Sequence, residues 1–515
     1  MVGLSLNNIG ATHNTSRKLI ALMRVMKMSH ASNKKRSLKL WEALALSLGM
    51  VGPTLAMSGN AQGLIDSVGK ALPIVFVLGL IGVALIAYGF IRLTRFYNHA
   101  GSAYGLVGKT VGPRAGFFSG FAIMGTYLFF SIGTLAALGA FTNAFLAALF
   151  PSSGFQIPWI ITATVGVIFS WILNSRDGKT VARVLMVIEG LGIVLMLVLA
   201  AVIVVNQPAT GAEHASLFSL NGVSFQAVMA GVVAAFLSWA GFEACATLGE
   251  ETENPKRNIP LALLGSILLT GVLFVGMMYV QTLGYGLSES GLNAFKNSAN
   301  SLGTLSQTYV GTAFTLAMLF TAMMSAFAAN LSAAATSSRL LFALARDGFG
   351  PACFAKMSDK NHQPRNALTL ILILSLLVDV VAWLSGKPAM GTGNSAIDAY
   401  FYFAIIGSVC LMIAYLMIEI GVINFIARMG QNIPKWELIM PALGIVIMVM
   451  SLYFNVAGQE ELFSPALVAF YWCIAGLITI ISAPKLVRNI GLSLASEFAT
   501  PGDKVATRTV QKEWI

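Results

Sequence analysis

The sequence predicts an all-α integral membrane protein of about twelve transmembrane helices, built as an inverted repeat of five plus five with two additional C-terminal helices. Three observations carry this. First, 57% of the 515 residues are hydrophobic and only 10% are charged, with a mean hydropathy of +0.78, which is too apolar for a soluble protein. Second, an alternating topology puts all of the 32 Lys and Arg on one side except Lys70, Lys296 and Lys387. The positive-inside rule then sets both termini in the cytoplasm of a multi-pass inner or plasma membrane protein. Third, glycine interrupts the first and the sixth apolar segments, at Gly49-Met-Val-Gly52-Pro53-Thr54 and Trp239-Ala-Gly241-Phe-Glu243. Breaks at corresponding places five spans apart point to a transporter with its site at the midplane, whereas either alone would read as an ordinary kink.

Residues 1–37 are expected to be a basic tail. Its stretch from Leu19 to Met28 is too short to span and lacks a small-residue cleavage site, so it is an interfacial helix, part of a tail, or a sign that the chain starts at Met26 or Met28. The membrane domain is assigned to 38–486. Spans of about 20 residues suit a hydrocarbon core of about 30 Å. They start near Leu38, Ala71, Gly116, Trp159, Ala182, Gln226, Leu261, Thr308, Leu368, Ile397, Leu438 and Pro465, and 487–515 reads as a cytoplasmic tail. Long continuous apolar runs argue against an outer-membrane barrel. The net charge of +11 is explained by a basic face beside anionic lipid and calls for no nucleic-acid partner.

Four cysteines give neither a disulfide framework nor a metal spacing, and the five histidines are scattered over tails and loops. No metal, cofactor or catalytic residue is expected, and the chain does not read as an enzyme. Ala103-Tyr-Gly-Leu-Val-Gly108-Lys109-Thr110 matches a relaxed phosphate-loop pattern, but that motif needs a strand before it and a helix after it in an α/β domain. Here it sits between two membrane spans.

Several segments resemble one family. Phe236-Leu-Ser-Trp-Ala-Gly-Phe-Glu243, followed by Glu250-Glu251, Asn254-Pro255, Arg257 and Ile259-Pro260, is similar to the sixth helix of the amino acid-polyamine-organocation transporters. So are Ala100-Gly-Ser-Ala-Tyr104 with Gly112-Pro-Arg-Ala-Gly-Phe117, and Ser338-Arg339 with Ala345-Arg346-Asp347-Gly348 and Pro364. The resemblance implies a LeuT-like fold and alternating-access transport of an amino acid or small amine.

It also implies roles. In such transporters the amides of the first break hold the substrate carboxylate, which here assigns Gly49, Gly52, Pro53 and Thr54 to substrate. Proline has no N–H, so one donor is lost; either the Thr54 hydroxyl replaces it or the substrate lacks a carboxylate. The amino end is expected at the carbonyls of Leu237, Ser238 and Trp239, with Gly241 allowing close approach and Phe236 or Trp239 closing over it. Tyr127, with Phe130, is a weaker candidate. Many members carry Lys where Glu189 stands, near the sodium position of LeuT-type relatives. A carboxyl at this depth is costly as an anion, so Glu189 either takes up a proton during the cycle, pairs with sodium or an amine, or stays a protonated strut.

Glu243 is a second coupling candidate that could sense protons, neutralise a substrate ammonium or merely satisfy freed backbone amides, while Asp379 and Glu419 read as structural. Glu250, Glu251, Arg257, Arg339 and Arg346 are expected to form a cytoplasmic gate. The function expected is proton-coupled symport. The hydroxyls near Asn330, Ser332 and Ser337 keep sodium open, and exchange or non-transporting sensing are the alternatives. The sequence does not set the oligomeric state.

Overall fold

The computed structural model describes residues 37–207, 210–358, 361, 363–428, 433–457 and 461–498. The N-terminal stretch around Leu19 to Met28 therefore lies outside the described residues. The first span is two helices, α1 (Leu40–Val51) and α2 (Pro53–Gly59). After them come α3 (Leu72–Thr94), the short α4 (Ala103–Thr110), α5 (Pro113–Leu149), α6 (Trp159–Asn174) and α7 (Gly178–Asn206). The sixth span is α8 (Phe225–Trp239) and a 3-10 turn at Ala244–Leu248. The long helices that follow are α9 (Pro255–Tyr285), α10 (Thr312–Arg346), α11 (Arg365–Ser385), α12 (Ser395–Arg428), α13 (Ile439–Val456), α14 (Pro465–Ser482) and α15 (Pro484–Phe498), with short helices at Glu289–Lys296 and Ser301–Tyr309 between α9 and α10. Among the described residues eleven segments are long and apolar enough to cross a membrane, and α6, with 16 residues, is a shorter apolar helix beside them.

Burial sorts the spans. The richest stretch of α5 is 94% buried, whereas those of α7, α13 and α14 are 22–28% buried and turn mostly apolar side chains outward. In a bilayer that exposure meets lipid, so α5, with α10 and α12 packed along it, is the axis. Polar side chains pin this centre: Asn330 on α10 donates to the Ser131 carbonyl of α5 (3.0 Å) and accepts from Ser170 of α6 (2.6 Å), while Ser375 of α11 donates to the Ser131 hydroxyl (3.0 Å).

The loops that bear the basic residues lie together. Arg365 and Asn361 reach the Ser175 carbonyl, Arg92 pairs with Glu437 at 3.0 Å, and Leu38 pairs backbone to backbone with Glu251 and Glu253. At the opposite face Ser301 donates to the carbonyls of Met57 and Ser58. The stretch that resembled a phosphate loop is α4, which crosses α5 so tightly that a Cβ at Gly116 would lie 2.5 Å from Gly108 Cα. Among the described residues no strand precedes it. The expected tail after Leu486 starts as helix: α15 runs to Phe498, and its Leu494 fills the space left by Gly108.

Candidate functional site

At the first break, Gly52 takes φ +56, a left-handed conformation that favours glycine. Its N–H closes α1 on the Leu48 carbonyl (2.9 Å). Pro53 is then the first residue of α2, where its fixed φ suits a helix start. The next free amides are Thr54 and Leu55. That of Leu55 donates to Ser325 Oγ of α10 (3.2 Å), and the same hydroxyl donates to Glu189 of α7, 3.0 Å and 3.1 Å from its two oxygens. Glu189 is thus tied to the first break through Ser325, and it is buried. Thr54 Oγ1, buried without a protein hydrogen bond, lies against α7 at Gly192, where a Cβ would be 2.0 Å from it.

The sixth-span break turns on Gly241, with φ +99. A Cβ there would lie 2.1 Å from Met50 Cγ, so the two breaks touch. Freed backbone groups in the membrane need partners, and Ser47 of α1 supplies two, donating to the Phe242 carbonyl (2.7 Å) and accepting from the Cys245 amide (3.1 Å). Glu243 is completely buried. Tyr127 of α5 donates to one of its oxygens (2.9 Å) and Tyr415 of α12 to the other (2.5 Å). Phe90 and Phe242 pack on the Tyr415 ring at 5.5 Å and 5.6 Å between centroids. A buried carboxyl held by two phenols, one of them packed against two phenyl rings, is a chemical match for an ammonium group.

A cavity of about 950 Å³ opens on the face opposite the basic loops and reaches inward to Asn60, Leu237, Ser408 and Met412. Ser408 and Met412 also border a small void of about 10 Å³ among Phe236, Trp239, Phe242 and Tyr415. Asn60 donates to Ser238 Oγ (3.2 Å) and accepts from Tyr400 (3.1 Å), which fixes the cavity's inner end to both breaks.

Most of the expected residues converge here: Gly52, Pro53, Thr54, Glu189, Tyr127, Leu237, Ser238, Gly241 and Glu243. Others are placed differently. Gly49 sits within unbroken α1 and faces Leu185 of α7, where a Cβ would be 2.7 Å from Leu185 Cδ2. Its lack of a side chain serves helix packing. Trp239 is wedged between Phe76 and Phe274, at 5.6 Å and 5.4 Å, and Phe236 fills the hollow of Gly82 on α3, so each borders the site only through the small void. The carbonyls of Leu237 and Trp239 already accept from the amides of Ala240 and Phe242.

At the basic face, Arg339 bonds Glu251 (3.2 Å) and Gln363 (3.2 Å), and Arg346 bonds Glu250 (3.4 Å) and His99 (3.1 Å). These bonds join the end of α10 to the turn after the sixth span and to the α3–α4 loop. Asp347 accepts from Tyr104 of α4 and Ser493 of α15. Burial pushes its carboxyl above the usual carboxylate range, with His99 and Arg346 pulling the other way. Arg257 differs from the expectation: it is exposed on the first turn of α9, and no ion pair among the described residues includes it.

Sequence reasoning missed Ser47, Asn60, Phe90, Ser325, Phe242 and Tyr415. Phe242 lay inside the singled-out motif. Tyr415 had one signal, a tyrosine one helical turn before the intramembrane Glu419. The serines had none, because a lone hydroxyl in a span is common.

Comparison with known proteins agrees with this architecture. The family model described as "Amino acid permease" matches residues 38–482. The branched-chain amino acid permease BcaP of Lactococcus lactis is 22% identical over 444 residues, covering 78% of this chain and 86% of that protein. The low-affinity putrescine importer PlaP of Escherichia coli is 26% identical over 352 residues (67% and 74%). The methylthioribose transporter of Bacillus subtilis is 23% identical over 389 residues (70% and 76%).

Proposed function

The chain belongs to the amino acid permease family, and from that premise we propose that it is a proton-coupled importer of a small amine, with polyamines of the putrescine type ahead of neutral amino acids. It is a membrane transporter of the amino acid-polyamine-organocation superfamily, and the finer reading concerns what it carries and what drives it. The observation that carries the reading is Glu243, a fully buried carboxyl held by Tyr127 and Tyr415 beside the rings of Phe90 and Phe242. A substrate ammonium replaces phenol donors at that carboxyl and gains the ring faces. The first break supports the same choice: Pro53 offers no N–H and the Leu55 amide is taken by Ser325, which leaves only Thr54 there to hold a carboxylate.

Glu189 supports proton coupling. It lies where a charge is expensive, and its one bonded partner, Ser325, also caps α2. Protonation and ionisation of Glu189 therefore loosen or tighten the first break through a single hydroxyl. A carboxyl, a hydroxyl and freed backbone also suit sodium, so a sodium-driven cycle is the second reading. The basic face lies in the cytoplasm of the cell membrane, with both termini.

The test is uptake of labelled putrescine and labelled leucine into proteoliposomes under an imposed proton or sodium gradient, with Glu189→Gln alongside. The proposal expects putrescine accumulation driven by the proton gradient and lost in Glu189→Gln. Leucine accumulation without putrescine would reverse the substrate assignment, sodium dependence would replace the coupling ion, and counterflow with no response to either gradient would make the protein an exchanger. Binding without accumulation or counterflow would make it a sensor.

A further inference from the structure

The helix α15 joins parts of the basic face that belong to different spans. It follows α14 across the single residue Ala483, and whereas α14 turns most of its apolar side chains outward, α15 turns its own back onto the protein. Leu486, Ile490 and Leu494, spaced by four and so on one side of the helix, are all buried. Leu494 enters the hollow of Gly108 on α4, where a Cβ would lie 2.5 Å from Leu494 Cδ1. Gly491 rests on Pro113 at the start of α5, where a Cβ would lie 3.3 Å from Pro113 Cγ.

A second set of contacts reaches the ion pairs. Ser493 donates to Oδ1 of Asp347, a buried carboxyl whose other oxygen accepts from Tyr104 of α4. Arg346 Nε lies 4.0 Å from that same Oδ1, and Arg346 also holds Glu250 and His99. One residue on, Gly348 turns at φ +103, and a Cβ there would lie 3.2 Å from Asn489 Nδ2 and 3.9 Å from Asn489 Cβ of α15. A helix that merely covered the crossing of α4 and α5 needs its leucines. It has no need of a hydroxyl on the carboxyl beside Arg346.

We infer that α15 is a strap on the inner gate: docked, it ties the end of α10 to α4 and α5 and holds the basic face closed, and it lets go when that face opens. Opening there parts the end of α10 from the α3–α4 loop and from the turn after the sixth span, because those are what Arg346 joins. Once Asp347 and Gly348 move away from Gly108 and Pro113, α15 cannot keep both sets of contacts. Its docking therefore sets how readily substrate passes the basic face. The inference rests on the transporter reading above, with the ion pairs of Arg339 and Arg346 as the inner gate.

The test uses the full chain in proteoliposomes preloaded with labelled putrescine or labelled leucine. Efflux into substrate-free buffer reads the leak, counterflow reads exchange, and thermal unfolding in detergent reads the fold. Ser493→Ala removes one bond and leaves the leucines, so leak should rise about fivefold, the worth of one net hydrogen bond, with little change in melting temperature. Ser493→Asp sets a second carboxylate against Asp347, which repels it, and should leak more. A lock works the other way. Cβ atoms 3.9 Å apart suit a disulfide, so Gly348→Cys with Asn489→Cys, in a Cys353→Ser background that removes the exposed native thiol, should lose counterflow on oxidation and regain it on reduction. Arg339→Ala is the control for the gate itself. Unchanged leak in both Ser493 variants while Arg339→Ala leaks removes the strap alone, as does full counterflow through the oxidised pair. Unchanged leak in Arg339→Ala as well overturns the gate and the strap with it. If the Ser493 variants fail to fold, the oxidised pair decides: blocked counterflow keeps the strap and free counterflow overturns it.

Discussion

The two breaks that define the site use the same device, a glycine at positive φ, for opposite chemical ends. At Gly52 the chain restarts at once as helix, and the donors that a helix start normally offers are reduced to those of Thr54: Pro53 has none, and Ser325 takes that of Leu55. At Gly241 the chain does not resume as α-helix, and the loosened turn carries a carboxyl held by two phenols. A break is therefore only a place where backbone becomes available. The side chains around it decide whether an anion or a cation can use it, which is why the same topology serves relatives that carry amino acids or amines.

The sharpest way to break the comparison is to remove the acceptor. Glu243→Gln should lower putrescine uptake by about a hundredfold or more, the cost of losing one partner of a buried charge pair, while Tyr127→Phe and Tyr415→Phe lower it less because each leaves the carboxyl in place. Initial-rate uptake across putrescine concentrations checks this, and equal losses in the three variants would make Glu243 a strut. Next come the glycines. Both Gly52→Ala and Gly241→Ala incur the strain of a positive φ, about 1–2 kcal/mol, but Gly241→Ala also drives a Cβ to 2.1 Å from Met50 Cγ, against 3.4 Å from Ser325 Oγ at Gly52. Gly241→Ala should therefore lose more thermal stability in detergent.

A milder change sharpens the contrast from the other side. Pro53→Ala restores an N–H at the start of α2, which should shift preference toward leucine by about fivefold, the value of one net hydrogen bond near 1 kcal/mol. Competition between leucine and putrescine for uptake reads it out. The smallest expected effect separates two arginines that look alike in sequence. Arg339→Ala opens a largely buried pair with Glu251 and should raise the leak of preloaded substrate, while Arg257→Ala, exposed, should leave leak within measurement error.

Much of the fold was legible because the bilayer constrains it so heavily. Apolar runs and the two glycine breaks each follow from the absence of water in hydrocarbon, and the structure follows them with shifts of a few residues at span ends. The site was half legible. Charged residues and glycines declare themselves when they interrupt an apolar span, so Glu189, Glu243 and Gly241 could be found. Gly49 and Trp239 could not be separated from the residues that line the breaks, because which face of a helix meets a break depends on neighbours that sequence spacing does not identify; Leu185 and Phe274 are far away in the chain. The serines were invisible for a different reason. Ser47 and Ser325 matter only through the backbone amides and carbonyls they reach, and those become needy only once the breaks have formed.

Ser47 sits on α1 yet holds a carbonyl and an amide of the turn beyond Gly241, so it works as a pin joint between two levers. Neither the inner half of the first span nor the turn at Phe242–Cys245 can swing alone without shearing two short bonds. On the proposed reading of the two breaks as the substrate site, these half-spans are expected to turn together, with the distance between the walls of that site held fixed.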